Sequence, residues 1–262
     1  GATGLVGEAI ISILEERNFP LENIVPLASA RSLGREVSFR EEKIPILELQ
    51  SFDFKGMDFC FFSAGADISS TFVPIATKQG AIAIDNTSAF RYEDDVPLVV
   101  PEVNADALAS YTTRNIIANP NCSTIQLVVA LAPIHKIARI KRINVATYQS
   151  VSGAGRQSVE LLNQQIEANL NGIDGNWEQL FAFNVVPQID AFQENSFSKE
   201  EMKLVWETQK ILNDYDLLVN ATAVRVPVRV GHAEAVNIET EIGITPDQVK
   251  GILSQSQGIK VI

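Results

Sequence analysis

The sequence predicts an α/β fold in two parts, a doubly wound parallel sheet followed by an α+β domain with a mixed sheet. Three observations support this prediction. Short apolar strands alternate with helical segments in the first part, and a glycine-rich turn precedes the first helix. In the second part, longer strands alternate apolar and polar residues with period two. Apolar strands between helices are typical of parallel sheets covered on both faces, whereas period-two strands leave one face open.

The first part, residues 1–121, alternates helices with buried strands. Val6, Ala9, Ile10 and Ile13 recur at helical spacing opposite glutamates, which predicts a helix over residues 5–17. A second helix is predicted over residues 68–78. Buried strands are predicted over residues 24–28, 57–62, 81–84 and 116–118.

The second part, residues 122–262, is predicted as a separate domain with an antiparallel or mixed sheet that faces water or a partner on one side. Helices are expected over residues 122–137, after Gly155, and over residues 198–212, with a long strand over residues 142–150. Residues 217–242 are β-rich, and valines alternate from Val224 to Val230.

Composition excludes several classes of protein. The formal net charge of −11 over 262 residues argues against nucleic acid or an anionic membrane as a partner. No apolar run is long enough to span a bilayer. The two cysteines suit a reducing cytoplasm, and no spacing typical of metal ligands appears. An anionic small substrate would therefore need arginines of its own.

The chain opens on a glycine-rich turn, Gly1-Ala-Thr-Gly-Leu-Val-Gly7, followed by the first helix. Such glycines let backbone N–H groups approach a pyrophosphate, which predicts a Rossmann-type dinucleotide site; the alternative is a tight turn without a ligand. Arg31 stands where NAD-specific folds place a carboxylate, and an arginine suits the 2′-phosphate of NADP. The alternative for Arg31 is an exposed loop residue.

Cys122 lies in the most informative segment, Asn119-Pro-Asn-Cys-Ser-Thr124. Pro120 disfavours helical geometry before it, so the next helix is predicted to begin at or near Cys122. The macrodipole and free N–H groups of a helix start stabilise a thiolate, which makes Cys122 a candidate nucleophile. The alternative for a free cysteine is a small buried hydrophobe, and Cys60 in its apolar strand fits that description.

His232 is the candidate base for this thiol. His135 lies 13 residues along the same predicted helix, about 20 Å away, and cannot reach Cys122. Strand alternation would place His232 on the valine face, opposite Arg225 and Arg229, unless a bulge at Gly231 or Pro227 resets the register. The alternative is a structural histidine.

Three further groups of residues are candidates on residue type and position. Arg91 follows a buried strand, where α/β folds bind ligands, and can clamp a phosphate or carboxylate. Gln149 and the small residues 152–155 end the long strand, as a cofactor contact or a simple turn. Glu200, Lys203 and Glu207 share a helical face, for which the default interpretation is a solvated charge ladder.

Taken together, these segments resemble bacterial aspartate-semialdehyde dehydrogenases along nearly the whole chain. The matching stretches, in family order, are GATGLVG, LASARSLG, FFSAGA, DNTSAFRYEDDVPLVVPEVN, NPNCSTIQ, TYQSVSGAG, AFNVVPQID, EEMKLVWETQKI and RVPVRVGHAEAVNIET. The resemblance implies reversible, NADP-dependent reductive dephosphorylation of L-aspartyl 4-phosphate to L-aspartate 4-semialdehyde through a cysteine thioester. It further implies a cytoplasmic homodimer in lysine (diaminopimelate), methionine and threonine biosynthesis, with residues 122–262 as the catalytic and dimerisation domain.

The resemblance also implies a role for each candidate residue. Cys122 is the nucleophile, His232 the acid/base and Gln149 an orienting residue. Arg225 binds the substrate carboxylate and Glu200 its amino group. Phosphate is held by Arg91, Asn121 and Lys203. The residues expected to contact NADP are Gly1, Thr3, Gly4, Val6, Arg31, Ser32, Ser63, Gly65, Ser152 and Gly153. The charge-ladder interpretation is thereby weakened for Glu200 and Lys203, but not for Glu207.

The sequence departs from the family pattern in three places. The family's first strand is not seen before Gly1, its C-terminal portion is not seen after Ile262, and residues 171–182 look short. We therefore expect a longer source protein. Two other functions stay open at this point: an N-acetylglutamyl-phosphate reductase, and a catalytically silent NADP-binding sensor or scaffold.

Overall fold

The computed structural model describes residues 1–173 and 175–262. Their contacts divide the chain into two compact units. The first comprises residues 1–96 and 110–118, and the second comprises residues 97–109 and 119–262. The short segment 97–109 thus belongs to the second unit, although it precedes the strand that closes the first. The boundary at residue 121 stays a prediction.

The first unit contains two helices and seven short strands. The helices are α1 (Leu5–Glu16) and α2 (Ala66–Lys78). The strands are β1 (Leu27–Ala28), β2 (Glu36–Phe39), β3 (Glu42–Pro45), β4 (Leu47–Glu48), β5 (Phe59–Phe62), β6 (Ile82–Asp85) and β7 (Ile116–Ala118).

Parallel pairing dominates the first unit, as predicted. Strands β5, β6 and β7 form one parallel sheet, and β1 pairs in parallel with β4. The strand predicted over residues 24–28 is reduced to its last two residues, Leu27 and Ala28. The antiparallel hairpin of β2 and β3 was not predicted, because its charged residues give no continuous apolar run.

Strand β5 is less buried than its apolar sequence predicts. Phe59 and Phe61 are 48% and 41% exposed, whereas Phe62 is buried. The exposed side of the strand borders a cavity of about 680 Å³, lined also by the glycine turn and residues 19–27. The prediction of a strand covered on both faces is therefore wrong for β5 within this unit.

The second unit contains five helices and three long strands among the described residues. The helices are α3 (Pro101–Asn104), α4 (Cys122–Ala138), α5 (Arg156–Leu170), α6 (Lys199–Leu212) and α7 (Pro246–Ser254). The strands are β8 (Ile140–Gln149), β9 (Leu218–Arg225) and β10 (Ala233–Thr240). Part of the stretch 171–182, which looked short in the sequence, lies outside the described residues.

A mixed three-stranded sheet forms the centre of the second unit. Strand β8 pairs in parallel with β9 and antiparallel with β10. One face of the sheet packs on α4 and α6 through a buried apolar cluster, which consists of Leu127, Leu131, Ile134, Ile140, Ile143, Val145, Leu204, Leu217 and Ala221. The predicted mixed sheet is confirmed, and its buried face is the one that carries Gln149 and Arg225.

The segment between β9 and β10 corrects the sequence prediction. Strand β9 ends at Arg225 and β10 begins at Ala233, so of the alternating valines only Val224 lies in a strand. Pro227 has no N–H for a ladder bond, which accounts for the break. The register argued for His232 from strand parity was therefore wrong, because this residue lies in a connection.

Backbone hydrogen bonds hold this connection against the end of β8. The N–H groups of Val151 and Ser152 donate to the carbonyls of Val228 and Arg229, at 2.8 and 3.1 Å. Gly231 has φ +90°, a conformation that favours glycine. The connection thus returns to the place where β8 delivers Gln149. Among the described residues, no helix is long and apolar enough to cross a membrane.

A capping box begins α6. The Ser198 hydroxyl accepts the N–H of Glu201 at 3.3 Å, and the Glu201 carboxylate accepts the N–H of Ser198 at 2.7 Å. Ser198 is buried, so these backbone groups have little access to water. The box therefore fixes where α6 starts, and with it the carboxylates that α6 carries.

Replacement Ser198→Ala should lower the free energy of unfolding by about 1 to 2 kcal/mol, because a cap is lost in a buried place. Urea denaturation followed by circular dichroism measures the change. The exposed capping box of α7 offers a control, Thr245→Ala, for which we expect a smaller loss. Equal stability of Ser198→Ala and the unaltered protein would contradict this account.

Candidate active site

The glycine turn of the first unit is closed by backbone contacts that require glycine. A Cβ on Gly7 would strike the Gly1 carbonyl oxygen and come within 2.9 Å of the Ala2 Cα. A Cβ on Gly1 would lie 2.8 Å from the Ser63 hydroxyl. Helix α1 begins directly after Gly4, and no side chain caps its first N–H groups. This cradle of bare backbone at a helix start fits an anionic group such as a pyrophosphate.

The other residues predicted for the cofactor surround this turn. The Thr3 and Ser32 hydroxyls lie 3.4 Å apart, and the exposed Arg31 precedes Ser32 in the 3₁₀ turn after β1. Ser63 and Gly65 follow β5, and Gly65 adopts φ +99° as it enters α2. The donor set of hydroxyls, glycine backbone and one free-standing guanidinium suits a dinucleotide that carries an extra phosphate.

Arg91 lies in the loop after β6, also in the first unit. Its side chain is buried, and its Nη2 donates to the Asn86 carbonyl at 3.0 Å. Asn121 and Lys203, its predicted partners for phosphate, belong to the second unit. Their joint action stays a prediction.

Cys122 is the first residue of α4, as the sequence predicted. Asn121 is the N-cap, and its side-chain oxygen accepts the Ser123 N–H at 3.0 Å. Asn121 is buried, whereas Cys122 is exposed. The thiol therefore stands at the positive end of a helix and open to a substrate, the setting that favours a thiolate.

His232 contacts this thiol. Its Nε2 lies 3.2 Å from the Cys122 Sγ, and its Nδ1 accepts the Ser150 N–H at 2.9 Å. A backbone N–H only donates, so Nδ1 of the neutral ring carries no proton and Nε2 carries one. Nε2–H therefore points at the sulfur as a hydrogen-bond donor. Sequence reasoning did not find Ser150, because it binds the His232 Nδ1 through its backbone N–H.

Burial and a nearby cation keep the imidazole neutral. Burial is the larger cause that lowers the pKa of His232, and Arg225 lowers it further, while Glu200 opposes the shift. Both charged residues lie in the same unit as the ring. At physiological pH the site therefore combines a neutral imidazole with a thiol at a helix start.

Gly153 leaves room for the Arg225 guanidinium and the His232 ring. A Cβ there would lie 2.9 Å from the Arg225 Nη1 and 3.5 Å from the His232 Cε1. Ser152, the residue before it, has its hydroxyl 2.9 Å from that of Ser150. Both were predicted as cofactor contacts, and that role stays a prediction. Within the second unit they support the imidazole and the guanidinium.

A buried network connects Gln149, Glu200 and Arg225. Gln149 is 1% exposed; its Nε2 donates to the Glu200 Oε1 at 3.2 Å, and its Oε1 lies 3.4 Å from the Arg225 Nη1. Arg225 also donates to the Ser150 carbonyl at 2.8 Å. Burial lowers the pKa of Arg225, against the opposing fields of Glu200 and Cys122. The network holds a guanidinium and a carboxylate at fixed positions beside the thiol.

Glu200 and Lys203 form the charged end of this network. The Lys203 Nζ lies 2.8 Å from the Glu200 carboxylate and 3.1 Å from that of Asp190. Burial raises the pKa of Glu200, but Lys203, Asn121 and Gln149 outweigh it, so the pKa is lowered overall. Burial likewise lowers the pKa of Lys203, and its two carboxylate partners reverse the effect. Sequence reasoning missed Asp190, which is remote in sequence.

Glu207 overturns the charge-ladder interpretation. Its side chain is fully buried, and Glu200 is 5% exposed. The Glu207 Oε2 accepts the backbone N–H of Asn121 at 2.6 Å. Helix α6 thus turns its acidic face towards the start of α4, and away from solvent.

Comparisons with known proteins agree with this arrangement. Residues 1–111 match the family model described as semialdehyde dehydrogenase, NAD binding domain. Residues 131–262 match the semialdehyde dehydrogenase dimerisation domain. The predicted pairing of a dinucleotide-binding domain with a dimerisation domain is thereby confirmed.

Individual relatives narrow the assignment. Aspartate-semialdehyde dehydrogenase of Legionella pneumophila is 50% identical over the whole of this chain, which covers 76% of the relative. The crystal structure of aspartate semialdehyde dehydrogenase II from Vibrio cholerae, complexed with ASA, superposes with a TM-score of 0.96 at 50% identity, covering 98% of this chain and 78% of that one. The Candida albicans enzyme with NADP has a TM-score of 0.71 at 27% identity, with 97% and 74% covered.

The glycine turn, the thiol–imidazole pair and the two family domains define a nicotinamide-dependent dehydrogenase that acts on an aldehyde or its acyl derivative. Within that class, the chain belongs to the aspartate-semialdehyde dehydrogenase family.

One carboxyl of the second unit stands apart from this network. Glu234 points to the buried face of the sheet beside Thr147, and its Oε1 is buried without a hydrogen-bond partner. Burial raises the pKa of Glu234 to about 7, although Gln126 opposes the shift. The carboxyl is therefore largely protonated below neutral pH, and it becomes a poorly solvated anion above it.

Replacement Glu234→Gln should stabilise the protein by an amount that grows as pH rises from about 4.5 to about 7 and then stays constant. The unaltered protein loses stability as pH rises from about 4.5 to about 7, because over that range the carboxyl ionises in the unfolded chain while the buried carboxyl stays protonated. We expect no gain at pH 4 and about 1 to 2 kcal/mol at pH 8.5, less than the full shift because the residue is partly exposed. Urea denaturation at both pH values measures it. The exposed Glu194→Gln is the control, and a gain that does not grow with pH would contradict the prediction.

Proposed function

We propose that this protein catalyses the reversible, NADP-dependent reductive dephosphorylation of L-aspartyl 4-phosphate to L-aspartate 4-semialdehyde. The observation that carries the proposal is the 3.2 Å contact between the Cys122 Sγ, at the start of α4, and the His232 Nε2. A nucleophile in that setting forms covalent acyl intermediates. The product serves lysine, methionine and threonine biosynthesis.

Cys122 forms and releases the covalent intermediate. In the biosynthetic direction its thiolate attacks the acyl carbon; the carbon–sulfur bond forms, and phosphate leaves with the electrons of the carbon–oxygen bond. NADPH, when bound, supplies the hydride that reduces the thioester carbon. The thiolate then departs with the carbon–sulfur electrons as the aldehyde forms. The departing phosphate takes up one proton from solvent, and the reaction needs no oxidant or reductant besides NADPH.

His232 manages charge at the sulfur and at the substrate oxygen. Its Nε2–H donates to the thiolate before attack and after release. The same Nε2–H is placed to donate a hydrogen bond to the oxygen that becomes negative when the carbonyl is attacked. The N–H groups at the start of α4, where Cys122 is the first residue, stabilise that oxygen further.

Three buried residues of the second unit hold the amino-acid part of the substrate. Arg225 binds the α-carboxylate as a fork of donors, and Glu200 binds the α-amino group. Gln149, which touches both of them, orients the acyl group towards the thiol. The positive charge of Arg225 and the negative charge of Glu200, on opposite sides of the Gln149 amide, match the α-carboxylate and α-amino group of an amino acid.

Phosphate is the third ligand that we assign. Asn121 lies beside the nucleophile, and Lys203 supplies a positive charge one helical turn from Glu200. Arg91, in the loop after β6, is the further residue that we assign to phosphate. Lys203 is held by two carboxylates in this structure, so phosphate must compete for its charge with Asp190.

For the cofactor we assign NADP over NAD. No carboxylate follows β1, and Arg31 is exposed there beside Ser32, where a 2′-phosphate is expected. The residues assigned to hold the dinucleotide are Gly1, Thr3, Gly4, Val6, Arg31, Ser32, Ser63, Gly65, Ser152 and Gly153. Both cysteines are free, which suits the cytoplasm.

A homodimer is proposed through the open face of the mixed sheet. This face consists of Arg142, Asn144, Ala146, Tyr148, Leu218, Asn220, Thr222, Val224, Ala233, Ala235, Asn237 and Glu239. Only two of these residues are charged, and they pair with each other at 3.6 Å. A face of small, amide and apolar side chains suits a second copy of the same face, and residues 131–262 match a dimerisation domain.

Phosphate-dependent reduction of NADP⁺ by L-aspartate 4-semialdehyde tests the reaction. We expect turnover that requires phosphate and falls at least about 10³-fold in Cys122→Ser, because the covalent route is lost. Cys60→Ser is the matched control: burial raises the pKa of that thiol to about 11, so it is not a nucleophile. NADP binding without thiol-dependent turnover would overturn the proposal.

Analytical ultracentrifugation tests the dimer. Thr222→Glu places a carboxylate on the open face, and twofold symmetry brings two of them together, so the dimer dissociation constant should rise at least about tenfold. Thr112→Glu, at an exposed position in the first unit, should leave it unchanged. A dimer equally stable in both variants would place the interface elsewhere.

A further inference from the structure

Two helices of the second unit begin with a complete capping box. In α6 the Glu201 carboxylate returns to the N–H of its own N-cap, Ser198, at 2.7 Å. In α7 the Gln248 carbonyl oxygen does the same for Thr245 at 2.8 Å. In each case the N-cap side chain binds the third residue of the helix, and that residue binds the N-cap backbone in return.

Helix α4 lacks this reciprocal half within its own sequence. Asn121 caps the helix through the Ser123 N–H. The third residue is Thr124, whose side chain is too short to take the place of a glutamate and whose buried hydroxyl has no hydrogen-bond partner. The N–H of Asn121 is instead accepted by Glu207, at 2.6 Å, from the middle of α6. Glu207 thus occupies the place that Glu201 and Gln248 take in their own helices.

The position of Asn121 makes this contact consequential. The preceding residue, Pro120, has no N–H. The N–H of Asn121 is therefore the backbone donor that lies next to the helix start. An unpaired donor in this buried place would destabilise the entry into α4. Glu200 holds the Asn121 side-chain nitrogen at 3.0 Å. Two carboxylates of one helix, 7 residues apart, therefore fix both the backbone and the side chain of the residue before Cys122.

We propose that Glu207 is a positioning residue, which completes the capping box of α4 from a second helix and thereby holds Cys122 at the helix start and against His232. The inference rests on the proposed role of Cys122 as the nucleophile. What matters in this account is the reach of an acceptor oxygen to the Asn121 N–H. Without that acceptor the first turn of α4 loosens, and the thiolate loses the N–H groups and the imidazole proton that stabilise it.

Two conservative variants separate reach from charge. Glu207→Gln keeps an acceptor oxygen at the same distance and removes the charge, as Gln248 does in α7. Glu207→Asp keeps the charge and withdraws the carboxylate by one methylene. Thr208→Val is the matched control, because this neighbour on α6 is equally buried and its hydroxyl has no partner. All variants are made in a Cys60→Ser background, so that Cys122 is the thiol observed.

The measurement is the pH dependence of alkylation of the whole protein by iodoacetamide, without substrate or cofactor. In Glu207→Asp we expect the midpoint of the thiolate profile to rise by about one pH unit. In Glu207→Gln and Thr208→Val we expect it to stay where it is in the Cys60→Ser parent. In turnover, Glu207→Asp should lower kcat about tenfold or more with the KM for NADP⁺ unchanged, and Glu207→Gln should restore most of it.

Each other pattern contradicts the proposal. A shift in Glu207→Gln with none in Glu207→Asp would show a purely electrostatic role. Shifts in both variants would show that an acceptor oxygen is not sufficient, and shifts in neither would show that the contact is dispensable. An equal shift in Thr208→Val would indicate general packing of α6. Alkylation needs no aspartate semialdehyde. The alkylation profiles therefore test the role of Glu207 even if the protein does not catalyse the proposed reaction.

Discussion

The arrangement of the second unit depends on the hydrogen bonds by which α6 holds Asn121, the residue before Cys122. Asn121 is bound through its backbone by Glu207 and through its side chain by Glu200. Both carboxylates are buried, and a buried charge is tolerated only when hydrogen bonds compensate it. The start of α4 and the face of α6 therefore specify each other. Displacement of either helix would leave a charge or an N–H group unpaired in the interior.

Buried charge also explains why the site is rigid before any ligand binds. Glu200 receives donors from Asn121, Gln149 and Lys203, and Arg225 donates to Gln149 and to the backbone of Ser150. Each group of the network is held by at least two partners, so no rotation of one side chain is free of the others. Because these polar groups are already held in place, they stabilise the charge that develops during a reaction without a cost of rearrangement.

Local signals in the sequence predicted a large part of this architecture. Pro120 and the apolar period after it located the start of α4, and the Ser198-x-x-Glu201 pattern agrees with the start of α6. The burial of Glu207 was not predictable, because its contact with Asn121 spans 86 residues. Val224, Val226, Val228 and Val230 imitate a strand, and only tertiary hydrogen bonds to the end of β8 show that the last three do not lie in one. The burial of Glu207 and the path of the chain after Val224 both depend on contacts between residues far apart in sequence. The periodicity of the sequence does not encode such contacts.

The distance in sequence between the two halves of the cap has a consequence for the newly made chain. Cys122 leaves the ribosome well before α6 does, and until then the N–H of Asn121 has no carboxylate to bind. The thiol of a nascent chain should therefore react no faster than an ordinary cysteine. Nucleophilic strength is acquired only when the two helices dock. During synthesis the Cys122 thiol therefore reacts with oxidants and electrophiles only as fast as an ordinary cysteine does, and more slowly than in the folded protein.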